Sequence, residues 1–153
     1  MAAFAGAVGA VGHPGQRGVD LLHRRHGLGR QRQVAFAVDG ELPATAARID
    51  PAQVEQAVLN LLANAHESGS PADEVRLGIR KLANAVAIEV ADRGSGMTEA
   101  VLASALLPFY STKRGGTGLG LALVREIAEA HGGRVAVANR SGGGLTVTVT
   151  LPQ

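Results

Sequence analysis

The chain has no cysteine and no tryptophan, and three Phe and one Tyr are its only aromatic side chains in 153 residues. Without thiols there is no disulfide and no thiolate-held metal, and a cysteine-free chain suits a reducing compartment, so the expected setting is cytoplasmic. So few aromatics cannot build a base-stacking platform. No basic block is long and the net charge is only +2, so nucleic acid is a poor partner. No apolar run approaches the roughly 20 residues that a membrane-spanning helix needs, and no span is expected. The apolar opening over residues 2–11 is short, broken by glycine and has no basic residue ahead of it, which argues against a signal peptide. Residues 1–16 therefore read as an irregular tail or the remnant of an upstream helix, and residues 17–153 as one domain. A hydrophobic content of 46% is enough for one core at this length.

Glycine, in contrast, is abundant, with 21 in the chain. Four lie close together, Gly115, Gly116, Gly118 and Gly120, where Thr117 and Leu119 alternate with them, just ahead of a helical pattern. Glycines let a backbone approach a ligand closely, and the amides at a helix start are unpaired donors that favour an anion. The run reads as a phosphate cradle. It follows a polar segment, Pro108-Phe109-Tyr110-Ser111-Thr112-Lys113, and a strand-ending carboxylate, Asp92, with Gly94 and Gly96 behind it. An Asp there can accept a hydrogen bond from the exocyclic amine of a base while the glycines make room for the ring, although Asp and Gly are also the ordinary residues of a turn.

Periodicity places these pieces on elements. Residues 19–28 suggest a short helix with a basic face, on which His23 and His26 could in principle bind a metal; a solvated face is the stronger reading, since nothing nearby supplies further ligands. A strand is expected over 34–38 and a shorter one over 46–49. Asp50 and Pro51 open a helix to about Glu67, with Asp50 as cap, Pro51 at the first turn and Gln53 able to reach back to the cap. Residues 74–80 and 85–91 alternate as an antiparallel pair, Thr98 caps a short helix to about 106, and 118–131 form an amphipathic helix stopped by Gly132 and Gly133. A hairpin over 134–138 and 145–151 closes the chain. Antiparallel neighbours with helices collected on one side make the class α+β, a layer of helices on a mixed sheet.

Beside the apolar stripe of the 51–67 helix runs an aligned row, Gln53, Gln56, Asn60, Asn64 and Glu67, at spacings of three, four, four and three residues. A solvent face usually carries Lys, Glu and Arg. Two Asn one turn apart cost helix propensity, which favours a functional row. The Asn64 amide oxygen suits Mg²⁺, which keeps several waters and completes its shell with substrate phosphates.

Taken in order, Asn60-Leu-Leu-Ala-Asn64, Asp92-Arg-Gly94-Ser-Gly96, Pro108-Phe109-Tyr110-Ser-Thr-Lys113 and Gly116-Thr117-Gly118-Leu119-Gly120 resemble the ATP-binding catalytic domain of sensor histidine kinases, as do His131-Gly-Gly-Arg134 and the closing Leu151-Pro152. The resemblance covers about residue 19 to the end. It implies a two-layer α/β sandwich shared with certain chaperone and DNA-repair ATPases, ATP and Mg²⁺ as ligands, and a compact lid of the nitrogen-regulation type. By the same resemblance Asn64 is the metal ligand with Asn60 beside the phosphates, Asp92 reads adenine, and Gly94 and Gly96 line its pocket. Phe109 and Lys113 belong to the lid, with Lys113 near the phosphates. Gly116, Gly118 and Gly120, with Thr117 and Leu119 among them, make the phosphate hinge, and Thr146 is a hydroxyl near the base. Relatives that hydrolyse ATP carry a Glu where Asn60 stands; an amide cannot take a proton, so hydrolysis is expected to be slow.

No histidine of the chain sits in a phosphoacceptor setting. His66-Glu67 comes nearest but lies inside the Asn60–Asn64 helix, so the expected acceptor is a histidine on a separate dimerisation domain, with a response regulator downstream. Two alternatives share the fold: a nucleotide-dependent docking module that transfers nothing, and a serine kinase of the anti-sigma-factor type.

Overall fold

The computed structural model describes residues 19–21, 32–34, 37–39, 49–111 and 118–153. Its centre is a five-stranded sheet in the order β3-β4-β5-β7-β6, formed by β3 (Ala37–Asp39), β4 (Arg76–Lys81), β5 (Ala85–Ala91), β6 (Arg134–Asn139) and β7 (Leu145–Pro152). Only β3 and β4 run parallel; every other pair is antiparallel. A separate two-stranded ladder pairs β1 (Val19–Leu21) with β2 (Arg32–Val34).

Among the described residues three α-helices cover one face: α1 (Pro51–Glu67), α2 (Glu99–Ser104) and α3 (Gly120–Ala130). Strand alternation decides which side chains meet them. Leu77 and Ile79 on β4, Val86, Ile88 and Val90 on β5, and Val147, Val149 and Leu151 on β7 join Val54, Val58, Leu61 and Leu62 of α1 and Val124, Ile127 and Ala128 of α3 in one core. The intervening residues, among them Arg80, Glu89 and Thr148, occupy the other face, where Arg80 and Glu89 pair at 3.2 Å. The expected α+β class, with a mixed, mostly antiparallel sheet under about three helices, is what the chain forms.

Local signals explain the helix ends. Asp50 Oδ1 accepts from the N–H groups of Ala52 (3.0 Å) and Gln53 (3.3 Å), and Pro51 occupies the first turn. The expected reach of Gln53 back to the cap is replaced by a longer-range bond: the Asp50 N–H donates to His131 Nε2 at 2.9 Å. His131 Nδ1 lies 2.7 Å from the Ile127 carbonyl, so the ring is a neutral Nδ1–H tautomer that joins the end of α3 to the start of α1. The two helices accordingly lie antiparallel, with Gly120 at the opposite end beside Asn64.

Two expectations near the N-terminus are corrected. Residues 19–21 are a strand rather than the start of a helix, because Val19 and Leu21 alternate around Asp20 and pair with Val34 and Arg32. The single strand expected over 34–38 is two: β2 pairs with β1, whereas β3 pairs with β4, so the chain changes sheets between them. His23, His26, the tail over 1–16 and residues 46–48 of the expected short strand lie outside the described residues.

Candidate functional site

At the C-terminal end of α1 the polar row reaches the region where the other motifs converge. Ser68 caps the helix, and its carbonyl accepts from the Ser95 N–H at 3.2 Å. A Cβ on Gly94 would collide with the Ser68 side chain, so only glycine lets the 92–96 turn lie against this helix end. Ser70 reinforces the junction, its Oγ accepting from the Arg93 N–H at 3.0 Å. From the other side α3 arrives with its first residue against the row: a Cβ on Gly120 would stand 3.6 Å from Asn64 Nδ2 and 3.8 Å from its Oδ1. Gly118, with φ of +69°, packs on the backbone of Phe109 and Tyr110. Asn64, Gly94, Gly118, Leu119 and Gly120, spread over the chain, thus gather around the adjoining ends of α1 and α3, and Asp92 and Gly96 belong to the turn that Gly94 brings there.

Asp92 is 5% exposed, a buried carboxylate at the end of β5. Its Oδ1 accepts from Gly94 N–H at 2.8 Å and from Leu145 N–H at 3.2 Å, which fixes the rotamer of the side chain. Asn60, one turn before Asn64, carries a buried Nδ2 with no hydrogen-bond partner. An unmatched buried N–H costs about 1–3 kcal/mol, so this amide is suited to an oxygen-rich ligand. The start of α3 is similar in kind. Asp50 caps α1 and Thr98 caps α2 through the Val101 N–H, but α3 has no side-chain cap, and its first residue, Gly120, lies beside Asn64.

The upper part of the polar row behaves differently. Gln53 and Gln56 line a groove of about 490 Å³ with Leu123, Glu126, Ile127 and Ala130, between α1 and the later turns of α3 and remote from Asp92. The row is therefore one in sequence but two in space. Thr146 also departs from its expected place. It pairs with Ala91 and shares that residue's face, away from the helices, whereas Leu145 stands opposite Asp92 on the helix side. Lys113, Gly116 and Thr117 lie outside the described residues. Phe109 is 79% exposed and has φ of +61°, unusual for a residue with a side chain, and Leu107 and Leu119 are exposed beside it.

Several positions that hold the site together gave no functional signal in the sequence. Arg140 Nη1 donates to the Asp92 carbonyl at 2.7 Å, Arg93 Nη1 donates to the carbonyls of Ser141 (2.8 Å) and Gly143 (3.1 Å), and Gly144 lies so close to Asp92 that a Cβ would strike its carbonyl. The run 141–144 reads as a hairpin turn, and nothing in it announces that the turn grips a segment 50 residues earlier.

This architecture, a buried acid at a strand end facing an Asn-bearing helix and an uncapped helix start, is that of an ATP-binding domain. Residues 49–153 match the family described as histidine kinase-, DNA gyrase B- and HSP90-like ATPases, and the chain belongs to that family, as the catalytic ATP-binding domain of a sensor histidine kinase. Among curated relatives it is 38% identical over 131 residues to the C4-dicarboxylate transport sensor protein DctS of Rhodobacter capsulatus, a match covering 82% of this chain and 20% of that protein. It is 37% identical over 123 residues to the sensor histidine kinase ZraS of Escherichia coli (strain K12), covering 80% of this chain and 26% of that one. The chain thus spans only a fifth to a quarter of these relatives. Of solved structures, the catalytic domain of histidine kinase ThkA superposes with a TM-score of 0.66 at 29% identity, covering 76% of each chain. Full-length ShkA in complex with AMPPNP gives 0.63 at 31%, over 76% of this chain and 24% of that one.

Proposed function

We propose that the domain binds ATP with Mg²⁺ and donates the γ-phosphate to a histidine on a separate dimerisation domain, of its own kinase or a partner, for onward transfer to a response regulator. The observation that carries this reading is the uncapped start of α3 beside Asn64, facing a helix whose Asn60 amide is buried without a partner. Asp92, held through Oδ1, offers Oδ2 to the exocyclic amine of adenine. The α3 amides and the Asn60 N–H bind phosphate oxygens, and Asn64 Oδ1 is the protein's ligand to Mg²⁺. That donor fits the metal: an amide oxygen is a hard ligand, and Mg²⁺ is commonly held by few protein oxygens together with phosphates and water. When bound, Mg²⁺ supplies neutralisation of the phosphate charge.

Catalysis rests on positioning and charge rather than on a base. Asn60 cannot remove a proton from water, so the domain holds ATP for an external acceptor instead of spending it on hydrolysis. Lys113, Gly116 and Thr117 belong to the lid and hinge in this reading; Thr146 does not enter the pocket. The exposed group of Leu107, Phe109 and Leu119 at the edge of the site gives the acceptor domain an apolar surface to dock on. The proposed compartment is the cytoplasm, where ATP is at hand, and no helix among the described residues is long and apolar enough to cross a membrane.

The test mixes this chain with an isolated histidine-bearing helical hairpin domain and γ-labelled ATP. Acid-labile label on the hairpin is the expected result. Nucleotide occupancy without transfer would leave only a docking module, and acid-stable label would indicate a serine kinase. The metal assignment has its own check: at a hundred times its Kd, Mg²⁺-ATP adds about 2.7 kcal/mol of stability to the wild type. In Asn64→Ala the melting shift with ATP becomes the same with and without Mg²⁺.

A further inference from the structure

Asn139 is exposed, lies at the end of an edge strand, and is a residue type that strands disfavour. Yet its side chain is fully engaged with a segment 42 residues away. Its Oδ1 accepts from the Met97 N–H at 2.8 Å, and its Nδ2 donates to the Met97 carbonyl at 2.6 Å. The amide thus substitutes for a neighbouring strand at one residue, holding the far end of the turn that begins with Asp92. Gly96 fits under it: φ is +67° there, and a Cβ would sit 2.8 Å from Asn139 Oδ1.

The register makes this arrangement more than a local contact. Asn139 is paired with Leu145 in the β6–β7 hairpin. The Leu145 N–H donates to Asp92 Oδ1, and its carbonyl accepts from the Asp92 N–H at 2.9 Å. One rung of the hairpin therefore fastens both ends of the 92–97 turn, the carboxylate through Leu145 and the Gly96-Met97 wall through Asn139. We infer that Asn139 is a positioning residue for base recognition: it touches no nucleotide, but it holds the Gly96-Met97 wall at a fixed distance from Asp92, so that a base must satisfy both at once. The inference rests on the proposed ATP reading of this site. Without the clamp Asp92 stays held by two N–H groups, while the opposite wall is free to retreat, and the pocket accepts bases that do not match the carboxylate.

The experiment measures Kd for Mg²⁺-ATP and for Mg²⁺-inosine triphosphate, which carries a carbonyl in place of the exocyclic amine, together with the melting temperature of unliganded protein. Wild type prefers ATP. In Asn139→Ala that preference falls by about tenfold, the equivalent of one good hydrogen bond, while the unliganded melting temperature moves little. Asn139→Asp has the same size and still accepts from the Met97 N–H, but it sets a carboxylate against the Met97 carbonyl; it shows the same loss and decides the matter if the alanine variant does not fold. An unchanged ATP preference in folded variants, whatever their melting temperature, overturns the role given to Asn139 and leaves the ATP reading intact. A wild type that binds neither nucleotide overturns both.

Discussion

Asp92→Asn is expected to weaken ATP binding on the order of a hundredfold and to leave the melting temperature of the unliganded domain nearly unchanged. The two halves of this result have separate causes. Oδ1 performs the structural task, accepting from Gly94 and Leu145, and an asparagine can orient its own oxygen to do the same. In the proposed reading Oδ2 is the atom left for recognition. Replacing it with an NH₂ group turns the acceptor toward the base amine into a donor, which loses a charge-assisted bond worth about 1.5–3 kcal/mol and sets two donors face to face. Asp92→Ala separates the roles further, since it leaves the N–H groups of Gly94 and Leu145 unmatched and destabilises the fold by about 1–3 kcal/mol. Calorimetric titration and thermal melts of both variants check the pair of outcomes. Normal ATP affinity in Asp92→Asn would remove the acid from the base pocket.

Gly144→Ala is expected to damage stability and binding together. Gly144 has φ of +95°, where an L side chain is strained, and the added methyl would meet the Asp92 carbonyl and stand 2.8 Å from Arg93 Cα. Backbone cannot yield as a flexible side chain does. The hairpin must draw back, and with it go bonds that depend on the close approach, from Arg140 to the Asp92 carbonyl and from Leu145 to Oδ1. Strain and lost bonds amount to roughly 2–4 kcal/mol, which lowers the melting temperature by about 10 °C. Because the loosened segment carries Asp92, ATP affinity falls as well, in contrast to Asp92→Asn. A variant that melts lower but keeps wild-type affinity would mean that the hairpin stabilises the sheet without shaping the pocket.

The helices and the four longer strands were legible because their signals are local and redundant. Asp50 and Pro51 start α1 by capping chemistry that depends on neighbours alone, and the alternations in β4, β5 and β7 survive burial of one face. Near the N-terminus the elements are three residues long, too short for a helical period and a strand period to be told apart, and the strand at Val19–Leu21 was accordingly misread. Within the site, Asn64, Asp92 and the glycines before α3 stood out because their types are wasteful for stability where they sit. Ser68, Asn139, Arg140 and Gly144 did not, since each acts on a backbone group far away in sequence, and a contact of that kind leaves no periodic trace. The misplacement of Thr146 has the same root: a strand's two faces differ by one residue, and only the register with Ala91 reveals which face holds Asp92.

The imidazole bolt between Asp50 and the end of α3 lies at the far end of the helix pair from Gly120. Two rods pinned at one end yield to force at the other by pivoting, as tweezers do, so a load applied near Gly118 spreads the tips and leaves the joint closed. A push on the first turn of α3 would thereby become a swing of Gly120 against Asn64, while Val124 and Ile127 stay packed deeper along the pair.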